Sequence, residues 1–452
     1  MAMDMKQQDL DPNVLPIRAV PPAIELWVRP FVRFMQIEAS GGLLLLACTI
    51  AALVISNTNW ANAFQAFWLT PISITIGHFE LKETLAHVVN DGLMTIFFFV
   101  VGLEIKRELV IGELRDLRKA ALPAIAALGG MIIPALLYGA LQFGRPGQHG
   151  WGIPMATDIA FVVGFLTLLG KRVPPSLKIM LLSLAIVDDI GAIIVIALFY
   201  SSKLSWLALG LACLGLAVTY FFNWIGVRRV PIYTFIGIFI WLAFLKSGIH
   251  PTICGVILGL MTPASAWFGD KGLLDVMETI FHRSRDRDLE NEHILRDHEV
   301  GPLSLLVRET ISPLERLEYA LHPWVAFIII PLFALANAGV AMKIDLLLDP
   351  ISLSVVVGLV MGKPLGIVLF SWLGVKLNWA RLPSSLNWPI MIGAGCMGGI
   401  GFTMSLFIAM LALDQPHLSA AKIGTLTGSV ISTLLGLSIL WWTLPSRSKA
   451  IH

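Results

Sequence analysis

The chain reads as an all-α polytopic membrane protein of about twelve transmembrane helices, two of them discontinuous, with one small exposed β-hairpin. Composition is the first observation: of 452 residues, 56% are hydrophobic and only 14% charged. A soluble domain carries roughly 25% charged residues, and the mean hydropathy here is +0.79. The second is the recurrence of apolar runs long enough to cross a bilayer as helices. The third is the run Ile179–Phe199, 21 residues whose only charges are the adjacent Asp188 and Asp189. A carboxylate at the centre of a span costs about 2.5–3.5 kcal/mol on insertion scales, so such a pair points to an ion or proton site. A core helix of a soluble protein and a purely structural ion pair are the plainer readings, and the rarity of intramembrane carboxylates weighs against both. Net charge is only +2, which gives no argument for nucleic acid. Cys48, Cys213, Cys254 and Cys396 sit singly in apolar runs, without the spacing of a metal site or disulfide frame.

Residues 1–38 form a polar N-terminal segment without a signal-peptide pattern. Its end, Glu25–Glu38, mixes aromatics with Arg29 and Arg33 and suits an interfacial helix. The transmembrane domain covers 39–443. Span one is expected over Ala39–Ser56 and ends in the turn Asn57-Thr58-Asn59-Trp60. In Leu69–Leu81, Ile72, Ile74 and Ile76 alternate with Ser73, Thr75 and Gly77, a period of two that predicts an exposed hairpin. Exposed strand edges invite pairing with a second copy, so a homodimer through the 69–83 hairpin is expected. Span two, Leu85–Leu103, holds Asp91 and runs into Glu104-Ile105-Lys106-Arg107-Glu108-Leu109. Spans three to eight follow at Ala120–Leu141, Trp151–Leu169, Ile179–Phe199, Leu204–Phe222, Ile232–Leu245 and Pro251–Met261. The 262–317 segment, with its mixed charges, reads as a solvated loop with room for partial helix, and not as a second domain. Spans nine to twelve are Val325–Val340, Ile351–Leu373, Pro389–Leu411 and Ile423–Trp442, before a basic tail at 444–452.

Twelve spans put both termini on one side, and short-loop Lys and Arg decide which. One set of loops holds twelve, among them Lys106, Arg107, Arg118, Arg172, Arg229 and Arg381; the other holds five, Lys82, Arg145, Lys203, Lys246 and Lys343. Both termini and the long loop are therefore expected in the cytoplasm, and the hairpin outside.

Two spans are interrupted. Span four opens Gly150-Trp151-Gly152-Ile153-Pro154-Met155-Ala156-Thr157-Asp158. Span eleven carries Gly393, Gly395, Gly398, Gly399 and Gly401 ahead of Thr403. Glycines also serve close helix packing, but five in nine residues exceed one contact's needs. Broken helices in corresponding places of two halves mark a midplane transporter site, tolerated where protein or a wet cavity surrounds them. Asp158 lies 12 residues before Gly170, and Asp188 lies 13 after Pro175. At 1.5 Å per residue both are about 18–20 Å from the intervening turn, hence at one level. Asp188 and Asp189 diverge by about 100° around their helix, so one serves the ion and the other a counter-charge. Lys363, the basic residue deep in span ten, is the candidate partner.

The strings NDGLM, GLEIKREL, ATDIAF, AIVDDIGAI, LKSGIHPT, LHPW, PLFALANAG, GKPLGI and GGIGFTMS resemble the NhaA family of Na+/H+ antiporters. The resemblance runs from about residue 25 to 442, apart from the long loop. It implies an inverted repeat of spans three to five and ten to twelve, an arrangement for which this family is itself a standard example, with crossed broken helices at four and eleven. The implied activity is pH-regulated, electrogenic exchange of cytoplasmic Na+ or Li+ for external protons by alternating access, in the bacterial inner membrane and with no cofactor. The resemblance makes Asp189 the principal cation carboxylate and Asp188 its proton-carrying neighbour, paired with Lys363. Asp158 and Thr157 fall at the helix crossing, with Na+ held at Asp158 and Asp189. There Asp158 would offset the positive N-terminal helix ends and Lys363 the negative C-terminal ends. Asp91 resembles an auxiliary acid, and Glu104, Arg107, Glu108, Glu318 and His322 a cytoplasmic pH-response cluster. Tyr319 stands where some members carry histidine, and the long loop exceeds that of compact members. Other readings remain to be separated. An intramembrane aspartyl protease would need its two acids on separate helices and leaves Lys363 without a role. A Na+-coupled symporter would need polar handles for an organic solute, and free conduction in a channel suits these charges least. Proton release on Na+ addition to vesicles distinguishes an antiporter.

Overall fold

The structure, a computed structural model, describes residues 40–76, 79–201, 204–227, 229–265 and 312–444. The interfacial helix expected over Glu25–Glu38, most of the 262–317 loop and the tail beyond 444 lie outside the described residues. In a bilayer the backbone must satisfy its own hydrogen bonds, and the apolar runs accordingly wind into helices. Helix α1 (Ser40–Ser56) turns through 118° into α2 (Ala61–Trp68). The sequence reading stops at the turn and omits α2, a short amphipathic helix whose Trp68 is buried against Phe64. Asn57 ties the turn: its amide donates to Leu53 O and Val340 O, and its oxygen accepts from Met342 N. Strands β1 (Pro71–Ile76) and β2 (Phe79–Thr84) pair antiparallel, with Ile74 opposite Leu81.

Thr84 caps the next helix by accepting from His87 N at 3.2 Å. That helix, α3 (Leu85–Val110), runs two turns past the expected end at Leu103 and contains a π-turn at Val88–Leu93. Helix α4 (Leu117–Leu141) follows, then a 3-10 segment, Pro146–Met155, and α5 (Ile159–Leu168). Then come α6 (Pro175–Phe199), α7 (Trp206–Ile225), α8 (Val230–Ser247) and α9 (Thr252–Met261). Helix α10 (Pro313–Asn337) starts inside the segment read as loop. Ser312 and Glu315 form a capping box there, satisfying its first N–H groups. Helices α11 (Pro350–Lys376), α12 (Trp388–Gly398), α13 (Phe402–Ala412) and α14 (His417–Thr443) complete the chain.

Among the described residues, eight helices are long and apolar enough to cross a membrane, or eleven if each bent pair is one span; α9 is shorter. The protein is a helical, multi-pass membrane protein. Helices α7 and α8 are peripheral and expose Trp206, Leu207, Trp224 and Phe235, apolar surface of the kind lipid covers. The core is built around α6, α13 and α14, where Phe402 to Ala409 are all buried. Two glycine seams draw helices together. A Cβ on Gly129 of α4 would overlap Gly366 O of α11, and one on Gly366 would overlap Gly129 O. Gly102 of α3 meets Val256 and Gly259 of α9 in the same way. Small residues permit such backbone contact where no hydrophobic driving force operates.

Candidate functional site

The two broken spans cross at their breaks. The first runs as a 3-10 segment that ends just after Pro154, which lacks an N–H donor, then turns extended at Ala156 (ψ 150°) and Asp158 (ψ 102°). It restarts as α5 after a 48° bend. The second breaks at Gly399–Gly401, with 47° between α12 and α13. Asp158 N donates to Ile400 O at 2.6 Å, joining one break to the other.

Four helix ends meet here, and each brings unpaired backbone groups and a partial charge. Asp158, 3% exposed, serves both starting ends. Its Oδ1 accepts from Phe161 N of its own helix at 3.3 Å. Its Oδ2 accepts from Thr403 N at 3.0 Å and from the Thr403 hydroxyl. At the finishing ends, the Lys363 ammonium donates to Met155 O, and the Thr157 hydroxyl lies 2.8 Å from Gly398 O. Ser405 adds a hydrogen bond of 2.7 Å to Ile153 O.

Asp188 and Asp189, both buried on α6, face different partners. Lys363, wholly buried, forms an ion pair with Asp188 Oδ2, which the Thr157 hydroxyl also reaches at 2.6 Å. Asp189 Oδ1 makes no hydrogen bond, and no ion pair among the described residues includes Asp189. Three carboxylates and one ammonium thus share a space without bulk water, where an unpartnered carboxylate is costly. With all four ionised the set carries a net charge of −2, a deficit that bound cations or protons would fill. Among the described residues no three His, Cys, Asp or Glu side chains converge to hold a metal. The crossing offers carboxylate, hydroxyl and carbonyl oxygens, the hard donors that suit such ions.

The remaining expected residues lie apart from the crossing. Asp91 sits in the π-turn of α3, 3.1 Å from His87 Nε2 and 3.6 Å from His250 Nε2. Trp241 donates to the Asp91 carbonyl at 3.3 Å. Glu104 lies within electrostatic range of both Asp189 and Glu318. Arg107 pairs with Glu318 and lies 3.7 Å from Glu108, and His322 follows Glu318 by one helical turn. Tyr319, next to Glu318 in the chain, is 86% exposed. The sequence reading left out Thr403, Ser405, Ser429 and the carbonyls of Met155 and Gly398. Hydroxyls and backbone carbonyls carry no local mark of such a role; only the GGIGFTMS string hinted at the first two.

The chain matches the family described as Na+/H+ antiporter 1 over residues 32–440. It is 52% identical to "Na(+)/H(+) antiporter NhaA" of Rhodopirellula baltica, across 94% of this chain and 97% of that one. It is 49% identical to the protein of the same description from Rhizobium meliloti, across 93% and 96%. "Na(+)/H(+) antiporter NhaA 1" of Acidiphilium cryptum is 48% identical across 95% of each chain. These relatives are transporters, not enzymes, which leaves the protease reading without support. With its two crossed, broken spans and buried carboxylates, this chain belongs to the NhaA family of Na+/H+ antiporters.

Proposed function

We propose that the protein exchanges cytoplasmic Na+, or Li+, for external protons at the crossing of the two broken spans. One observation carries the reading: Asp189 is buried in mid-span and no ion pair among the described residues includes it, while its neighbour Asp188 is paired with Lys363. Asp189 and Asp158 bind the cation, with Thr157 alongside. Protons compete for the same carboxylates, and alternating exposure of the crossing to the two sides converts competition into exchange. An unequal ratio of protons to cations makes the exchange electrogenic. Asp188 carries a proton in part of the cycle and, when ionised, pairs with Lys363, which also offsets the helix C-terminal ends. Asp91 acts as an auxiliary acid on the outer side. Glu104, Arg107, Glu108, Glu318 and His322 tune the pH response at the cytoplasmic mouth.

The same reading gives the molecule twelve spans, with three to five and ten to twelve as an inverted repeat. It places the chain in the bacterial inner membrane with both termini and the 262–317 loop in the cytoplasm, and pairs two copies through the 69–83 hairpin. The test is Na+-driven proton movement in everted vesicles, with the half-saturating Na+ concentration measured across about pH 6.5–9. Because protons and Na+ occupy one site, apparent affinity falls as pH falls, and the coupling is reciprocal. An affinity flat across that range would exclude direct competition at the carboxylates. Absence of proton movement with Na+ or Li+ would reject the antiport reading itself.

A further inference from the structure

Helices α5 and α13 both restart beside the crossing, yet they are capped differently. Helix α5 is capped by Asp158, its own N-cap residue. Helix α13 has Gly401 in that position, which offers no side-chain oxygen. Its first N–H groups must find acceptors elsewhere, since buried donors are rarely left unpaired. Thr403 N uses Asp158, whereas Phe402 N donates to the Ser429 hydroxyl of α14 at 3.2 Å. Ser429 is 5% exposed, and Thr433 one turn on anchors its carbonyl at 2.7 Å. Phe402 is buried and packs edge-on against Phe161 of α5 at 4.7 Å, so its position is shared by both restarting helices.

We infer that Ser429 is a positioning residue for the cation site: its neutral hydroxyl caps α13 from a neighbouring span, leaving Asp158 available to the cation. This rests on the antiport reading above. With Ser429 in place, a cation at Asp158 shares that carboxylate with the Thr403 N–H and hydroxyl and with the start of α5. Without the hydroxyl, Phe402 N–H at the same helix end turns to Asp158 as its acceptor. The carboxylate is then held more tightly by the helix, and the cation competes less well. Every charge of the site remains, so maximal turnover is kept while apparent affinity drops.

The experiment compares full-length wild type with Ser429→Ala, Ser429→Cys, Ser429→Thr and Ser432→Ala in everted vesicles at fixed pH, reading KM and Vmax for Na+. Cysteine keeps the volume but is a weak acceptor, threonine keeps the hydroxyl, and Ser432 is a buried neighbour whose hydroxyl makes no hydrogen bond. An N-cap lost to alanine corresponds to roughly a five-fold change in an equilibrium. The expected result is KM raised about five-fold in Ser429→Ala and Ser429→Cys, Vmax within about two-fold, and near-normal KM in Ser429→Thr and Ser432→Ala. Unchanged KM in Ser429→Ala and Ser429→Cys overturns the inference. So does an equal rise in Ser432→Ala, which would mark a packing effect, or failure of Ser429→Thr to restore KM. If wild type itself moves no protons on Na+ addition, the antiport reading has failed, and that is visible in the wild-type arm alone.

Discussion

Asp188 and Asp189 are chemically identical and adjacent, yet their surroundings divide them. A step of one residue turns the side chain by about 100°. Asp188 thereby reaches Lys363 and Thr157, while Asp189 has no ion-pair partner among the described residues; each keeps one oxygen without a hydrogen bond. Removing the negative charge while keeping the shape tests this division. Asp189→Asn and Asp158→Asn should abolish Na+-driven proton movement, or depress it at least about 100-fold, since a hard cation needs anionic oxygens. The readout is vesicle fluorescence, with membrane insertion confirmed by immunoblot; near-normal exchange in Asp189→Asn would remove it from the site. Lys363→Ala should reduce stability as well as activity. It strands Asp188 in low dielectric and leaves Met155 O without its donor. Breaking a buried pair costs roughly 3–5 kcal/mol, so the detergent-purified protein should melt several degrees lower. An unchanged melting temperature would mean that the pair does not form.

At the scale of elements, the crossing depends on how closely helices approach. Lys363 enters the site because α11 lies against α4 at the Gly129–Gly366 contact, one turn from the lysine. A π-turn at Gly358–Gly362 immediately precedes it, and such an insertion rotates the downstream residues relative to a regular helix. Gly366→Ala places a methyl group on the Gly129 carbonyl and should force the helices apart. Overpacking of this kind costs roughly 1–3 kcal/mol. Lys363 should be displaced with α11, so melting temperature and transport should fall together. Gly139→Ala on α4, where a Cβ would meet nothing within 4 Å, is the matched control. Equal melting of the two variants would show that the seam does not set the spacing. The broken spans make a complementary point. Their ends are served by groups from other helices, so neither has a complete set of partners until the whole bundle is assembled.

For the whole molecule, the strand pair β1–β2 stands apart from the carboxylate crossing. No site residue lies in Pro71–Thr84. Deleting Ile72–Phe79 should therefore weaken self-association while sparing Na+/H+ exchange in vesicles. Blue-native migration and crosslinking measure the first, and proton movement the second. A shortened protein that still crosslinks as a dimer would assign the interface to another surface. Loss of exchange with an intact dimer would make the strand pair part of the transport cycle.

Much of the molecule is legible in one dimension because membrane helices obey a local rule. An apolar run of sufficient length must satisfy its own backbone, whatever its neighbours do. The spans, the interruption at Pro154–Asp158 and the glycine-rich break before Thr403 all follow from residues close together in the chain. So does the common level of Asp158 and Asp188, since a tight turn joins their helices. Elsewhere local signals mislead. Pro313–Leu317 falls in the segment read as a partly helical loop and Glu318–Trp324 in no span, yet together they are the capped first half of α10, and α2 hides behind the Asn57 turn. The carboxylate chosen by Lys363 depends on the relative rotation of α6 and α11, which the family resemblance anticipates but spacing leaves open. Asp158 capping a second helix, and Ser429 capping α13 from α14, join residues 245 and 27 positions apart. Contacts over such separations arise from close packing of several helices at once, so only the tertiary structure decides them.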